Sequence, residues 1–77
     1  MHPELQIAVK QAVETVNAHA GMTAVRLRFV DDDSEIDFIA NSAAYRDGGF
    51  EFQAGIQRYE GLVAELAEIR TDVINPS

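Results

Sequence analysis

The spacing of apolar residues changes abruptly around Gly21. From about Pro3 to Ala20, Leu5, Val9, Ala12, Val13, Val16 and Ala20 recur at helical intervals and form one stripe, with Lys10, Glu14 and Asn17 on the opposite side. Pro3 suits a first helical position, and Glu4 lies at the positive end of the helix dipole. Gly21 supplies the left-handed conformation that ends a helix. From Thr23 the interval becomes two. Val25, Leu27 and Phe29 share one face, and Arg26, Arg28 and Val30 the other. After Asp31-Asp32-Asp33-Ser34 the alternation resumes, with Ile36, Phe38 and Ala40 against Glu35, Asp37 and Ile39. A helix followed by a hairpin is the fold nucleus this pattern demands.

The expected hairpin turns about Asp32-Asp33, pairing Phe29 with Ile36 and Leu27 with Phe38 and setting Arg28 beside Asp37. A third strand is expected over Gly49–Ala54, with Phe50 and Phe52 inward, after the turn Arg46-Asp47-Gly48-Gly49. Pairing Tyr45 with Phe50 requires a bulge near Asn41-Ser42, whereas a three-residue loop avoids one. Both routes stay open. The spacing of Ile56, Tyr59, Leu62, Val63, Leu66, Ile69 and Val73 then predicts a second helix over about Ile56 to Val73, stopped by Asn75-Pro76, with Gly61, Glu65, Glu68 and Asp72 outward. The expected fold is thus one α+β domain over residues 1–77: helix, three-stranded antiparallel sheet, helix, with both helices on one face of the sheet.

Charge narrows the function classes. Thirteen acidic residues against six basic ones leave a net charge of −7 over 77 residues, in a chain that is 47% hydrophobic and therefore too apolar to be disordered. Such a chain repels phosphate and is a poor direct binder of nucleic acid or anionic membrane. The absence of cysteine excludes disulfides and thiolate metal sites. Met1-His2-Pro3-Glu4-Leu5-Gln6 lacks the basic start and apolar stretch of a secretory signal, so a cytoplasmic location is expected. No run reaches the roughly 18 apolar residues that cross a bilayer.

The chemistry-bearing residue types form no catalytic constellation. Ser34 and Ser42 lie in no nucleophile elbow, and Gly48-Gly49 is too short to cradle phosphate. His2 and His19, without cysteine or an HExxH spacing, make no zinc site. Asp31, Asp33 and Glu35 reproduce the first three ligand positions of a calcium loop, but Ile36 stands where that loop needs glycine and Ser42 where it needs glutamate. The expectation is a protein without enzymatic activity or cofactor. Asp31-Asp32-Asp33-Ser34-Glu35-Ile36-Asp37 remains the densest feature, five acids in seven residues with no base. Three adjacent aspartates exceed what a turn needs, and they repel one another. With Asp47 and Glu51 at the next hairpin and Glu65, Glu68 and Asp72 on the last element, they suggest an extended negative surface. Solubility alone is the plainer account, since a net charge of magnitude about 2–8 is common design practice for a small domain.

The helix–three strands–helix order resembles the layout of double-stranded-RNA-binding domains, but Gln53-Ala54-Gly55-Ile56-Gln57-Arg58 lacks the lysine cluster with which those domains grip phosphate. In size, charge and element order, with Asp31 to Asp37 as the sharpest local feature, the whole chain resembles the small acidic inhibitors of the anti-CRISPR type that phages and mobile elements carry. The resemblance implies binding to a basic, nucleic-acid-binding protein surface such as the DNA channel of a CRISPR effector, by DNA mimicry, as a monomer or homodimer. The first hairpin (Asp31, Asp32, Asp33, Glu35, Asp37) is the expected primary contact, and Glu65, Glu68 and Asp72 a secondary one. Two other readings share these data. Gly49-Phe50-Glu51-Phe52 running into a helix resembles phage head–tail joining proteins, which would self-assemble through outward apolar residues such as Ile7, Val30 and Ile39. An antitoxin or immunity protein masking a basic nuclease follows the same electrostatic logic.

Overall fold

The helical stripe at the start of the chain becomes α1 (Pro3–Ala18) in a computed structural model that describes residues 3–74, the side chain of Asp33 excepted. Six strands follow: β1 (Thr23–Phe29), β2 (Asp32–Ala40), β3 (Ser42–Arg46), β4 (Gly49–Ala54), β5 (Gln57–Leu62) and β6 (Leu66–Val73), with one 3-10 turn at Val63–Glu65 between the last two. They form two antiparallel three-stranded sheets, ordered β2-β1-β6 and β3-β4-β5. His2 and the expected helix stop at Asn75-Pro76 lie outside the described residues.

The helix–sheet–helix expectation is therefore corrected. There is no second helix over Ile56–Val73 and no single sheet with two helices on one face. Ala54-Gly55-Ile56-Gln57 is a two-residue hairpin turn in which only the first central residue, Gly55, has positive φ (62°), the pattern of a type II′ turn. Ile56, placed at the head of a buried helical stripe by its spacing, is 96% exposed at the tip of this turn. Beyond it, Glu68, Arg70 and Asp72 alternate with Ala67, Ile69, Thr71 and Val73, a period-two pattern that also satisfies helical spacing at Leu66, Ile69 and Val73. Ala64-Glu65-Leu66-Ala67-Glu68 is a run of good helix formers, yet only Val63–Glu65 keeps one turn. Strands β1 and β4 each have a second edge to satisfy, and pairing with β6 and β5 overrides that weak propensity. The missing helix removes the element order behind the likeness to double-stranded-RNA-binding domains and head–tail joining proteins, and leaves the likeness to small acidic inhibitors resting on size and charge.

The first hairpin keeps its faces but changes its register. Leu27 faces Ile36, Val25 faces Phe38 and Arg26 faces Asp37, two residues from the expected pairing, and the chain turns at Val30-Asp31 instead of Asp32-Asp33. An irregularity at Arg28/Phe29, shared by both β1 ladders, absorbs the difference. Asp47 and Gly48, with φ of 50° and 78°, turn the β3–β4 hairpin as the Asp-Gly signal requires. Tyr45 does pair with Phe50. The strand breaks once at Asn41, where the chain passes from one sheet to the other. Asn41 secures that passage: its N–H donates to the Gln53 carbonyl (2.6 Å) and its Oδ1 accepts from Gly55 N–H (2.7 Å).

The core lies between the sheets and α1. Val9, Ala12 and Val16 of the helix are buried with Val25, Leu27, Ala40, Phe50, Phe52, Val63 and Leu66. Phe38 joins the two sheets, stacked on Tyr59 (4.2 Å, 6° between planes) and tilted against Phe52 (5.7 Å). Tyr59 thus reaches the core from a strand rather than a helix. The ring of Phe50 covers its cross-strand partner Gly61, where an added Cβ would approach Phe50 to 3.2 Å. Gly61 is consequently an inner residue, not an outward one. Helix α1 lies against β3 and β6. Asn17 fixes it to β3 by giving its Nδ2 to the Ala43 carbonyl (2.9 Å) and taking the Ala43 N–H on Oδ1 (3.0 Å). Thr23, fully buried, donates its hydroxyl to the His19 carbonyl (3.1 Å).

These placements give opposite expectations for two apolar truncations. Leu27→Ala, at the centre of β1 and 1% exposed, is expected to cost about 2–5 kcal/mol in urea unfolding of dilute protein. Ile56→Ala is expected to stay within about 0.5 kcal/mol of the parent. A large loss at Ile56 would instead match burial at the head of a helix.

Candidate functional site

The acidic residues singled out by the sequence, the side chain of Asp33 excepted, fall into two main groups. The first group lies on the outer face of the β2-β1-β6 sheet. Strand alternation sends Arg26 and Arg28 of the central strand outward, and the registers set Asp37 and Glu35 opposite them on β2 and Arg70 and Glu68 opposite them on β6. Asp72 faces Ala24 at the end of the same face. Arg26 Nε donates to Asp37 at 2.7 Å and lies 3.7 Å from Glu35; Glu68 lies 3.9 Å from Arg28 and 3.5 Å from Arg70. The bond to Asp37, and then the charges of Asp37 and Glu35, hold the Arg26 guanidinium above its ordinary pKa. Three arginines thus offset most of the four carboxylates. On the second sheet Glu51 is likewise held by Arg58 at 2.9 Å.

The second group lies on turns, and the backbone ties those turns together. Val30 N–H in the first hairpin turn donates to the Glu65 carbonyl (2.9 Å), and Val63 N–H donates to the Gly48 carbonyl in the β3–β4 turn (2.8 Å). The Val63–Glu65 turn is therefore clasped between the two hairpin turns, and one rim carries Asp31, Asp32, Asp47 and Glu65, all exposed. None of these four has a salt-bridge partner among the described residues. Glu65 Oε1 accepts from Leu62 N–H (3.0 Å), which holds its carboxylate in place. Asp32 Oδ1 accepts from Ser34 N–H (3.0 Å). The bonds from the Ser34 backbone, and then its side chain, hold Asp32 below the ordinary aspartate pKa.

The structure thus divides the expected surface. Glu65 and Asp47 join the tip residues Asp31 and Asp32, whereas Glu35, Asp37, Glu51 and Glu68 are engaged by the chain's own arginines. Asp33 lies within β2. Glu65, Glu68 and Asp72 do not share a helical face, because Glu65 is on the turn and the other two are on β6. The grouping with Asp47 was invisible in the sequence, since it depends on the Val63–Gly48 bond. Among the described residues no three His, Asp or Glu converge as metal ligands, and no helix is long and apolar enough to cross a membrane. Comparisons with known protein families, curated proteins and solved structures return no match.

The Ser34 contacts have a pH consequence. Asp32 is expected to titrate below an unconstrained aspartate when its carboxyl carbon is followed by NMR, and Ser34→Ala is expected to move the midpoint partway back up. Because the folded-state pKa is depressed, the associated stability is present above the ordinary aspartate range and is lost as pH falls through the lowered midpoint. A midpoint at or above the ordinary value contradicts the turn geometry.

Proposed function

We propose that this chain is a non-catalytic cytoplasmic inhibitor that masks a basic, nucleic-acid-binding surface of a host defence complex, as a DNA mimic does. The observation that carries this reading is the rim of Asp31, Asp32, Asp47 and Glu65. These carboxylates come from three turns held together by backbone bonds, and none forms an ion pair among the described residues. Among the described residues Arg26, Arg28, Arg58 and Arg70 pair with Glu35, Asp37, Glu51 and Glu68 on the sheets, whereas no cation pairs with an acid of the rim.

The physics suits such a partner. A surface built to bind duplex or guide-paired DNA is rich in lysine and arginine and meets closely spaced negative charge. Arginine can take a carboxylate bidentately, and opposite fields speed encounter. The predetermined orientation of Glu65 and Asp32 reduces the ordering that binding would otherwise require. The primary contact moves, relative to the sequence expectation, from Asp31–Asp37 along β2 to the rim. The same logic covers a basic nuclease toxin, and the identity of the captured partner distinguishes the two.

The test uses variants that keep each structural role. Asp31→Asn, Asp32→Asn, Asp47→Asn and Glu65→Gln combined retain the turn-forming and accepting groups while removing four charges. Immobilised parent protein is expected to capture a nucleic-acid-binding complex from its source cells and to release it to competing duplex DNA. Capture is expected to weaken as salt screens the contact beyond about 10 Å at 0.1 M. The combined variant is expected to capture nothing, whereas Glu35→Gln with Asp37→Asn is expected to retain most binding. A partner held equally by the neutralised rim, or indifferent to salt, contradicts the reading.

A further inference from the structure

The free edge of β5 is complementary to itself, and we propose that two copies of the chain pair there, antiparallel across a two-fold axis at Tyr59. In the β4–β5 hairpin the two-residue turn closes on Ala54 and Gln57, so Gln57, Tyr59 and Gly61 direct their backbone groups toward β4. Arg58, Glu60 and Leu62 direct theirs away from it. Leu62 bears this out, because its N–H goes to the Glu65 carboxylate at 3.0 Å. Arg58 and Glu60 are left with outward N–H and C=O groups that receive no backbone bond from another segment among the described residues. An exposed edge of this kind is a template for another strand.

Backbone parity and side chains together select one register. The outward groups meet only if even-numbered residues face even-numbered ones. Centring on Arg58 or Glu60 sets like charges in contact at the axis. Centring on Tyr59 sets Arg58 opposite Glu60 of the second copy, twice, with four backbone bonds between them. The same register sets Ile56 opposite Leu62 of the second copy, and these two residues are 96% and 54% exposed in the single chain. It also relieves an imbalance: Glu60 faces Glu51 across the β4–β5 ladder, and Arg58 lies 2.9 Å from Glu51 but forms no ion pair with Glu60. The other edges are less suited. β2 would oppose Asp32, Glu35 and Asp37 to acids of its copy, Ala43 of β3 is occupied by Asn17, and β6 has α1 against it. The product is a continuous six-stranded sheet, β3-β4-β5 joined to its symmetry mate. Its contacts lie on β5 and leave Asp31, Asp32 and Asp47 free.

Sedimentation over a dilution series tests this directly. The parent is expected to pass from monomer to dimer as concentration rises and to keep the dimer in high salt. Arg58→Glu alone and Glu60→Arg alone are each expected to weaken the dimer at least about tenfold. The two together restore opposite charge between the copies and move the cation beside Glu51 from position 58 to position 60, its direct cross-strand partner, and are expected to recover the dimer. Glu60→Pro removes an outward N–H that β4 does not use and is expected to abolish pairing while circular dichroism stays that of the parent. A parent that stays monomeric throughout the series, a dimer indifferent to Glu60→Pro, or a double variant no better than the single ones overturns the proposal.

Discussion

The structure depends on β1 being paired along both edges. Its hairpin partner β2 follows at once in the chain, but its other partner, β6, returns from about forty residues away, with Leu27 facing Ile69 and Arg26 facing Arg70. Once β6 is in place, Val25 and Leu27 are covered, and Arg28 gains the acid Glu68 on its second flank. The return of β6 also fixes where the Val63–Glu65 turn sits, and so where Glu65 meets the first hairpin. Such long-range pairing is costly in loop closure, and here it is repaid by burial of Leu66 and half-burial of Ile69 against α1 and β1.

The same constraint divides the molecule electrically. A net charge of −7 reads as a uniform property of the chain, yet the folded surface is not uniform. On the sheet face Arg26 and Arg28 have Asp37 and Glu35 on one side and Arg70 and Glu68 on the other, while no acid of the rim is paired with a cation among the described residues. Acids grouped on one rim give a local field that orients an approaching partner, whereas charge scattered over every face only keeps molecules apart. Geometry of backbone bonds, more than composition, therefore makes the rim a candidate contact.

Much of this was legible in the residues. The α1 stripe, the inward placement of Val25, Leu27, Phe50 and Phe52 and the Asp47-Gly48 turn followed from periodicity and turn chemistry alone. The hairpin register did not, because a shift of two residues leaves every side chain on its own face. The deciding contacts, the Asp32–Ser34 bond and the irregularity at Phe29, are local details with no periodic trace. The last third misled for a deeper reason: the four-residue spacing of Ile69 and Val73 satisfies both periods, Leu66 extends it at helical spacing, and Ala64 to Glu68 favour a helix intrinsically. Only the unmet edges of β1 and β4 select strands, and an edge is a property of the assembled fold. Gly55-Ile56 held the local clue, a glycine turn that breaks a helical reading at its first residue. The acids on β2 were found as a run, but which of them remain free depended on arginines whose positions the register sets.

The whole fold rests on the chain from Gln57 to Val73 running out and back as strands and closing the sheet on β1. Backbone nuclear Overhauser contacts measure this most directly. Cross-strand contacts are expected among the facing pairs Leu27–Ile69 and Arg26–Arg70, with strong sequential contacts through Glu68–Val73. Medium-range contacts of helical spacing running through Ile56–Val73, with none between β1 and Ile69 or Arg70, would contradict it.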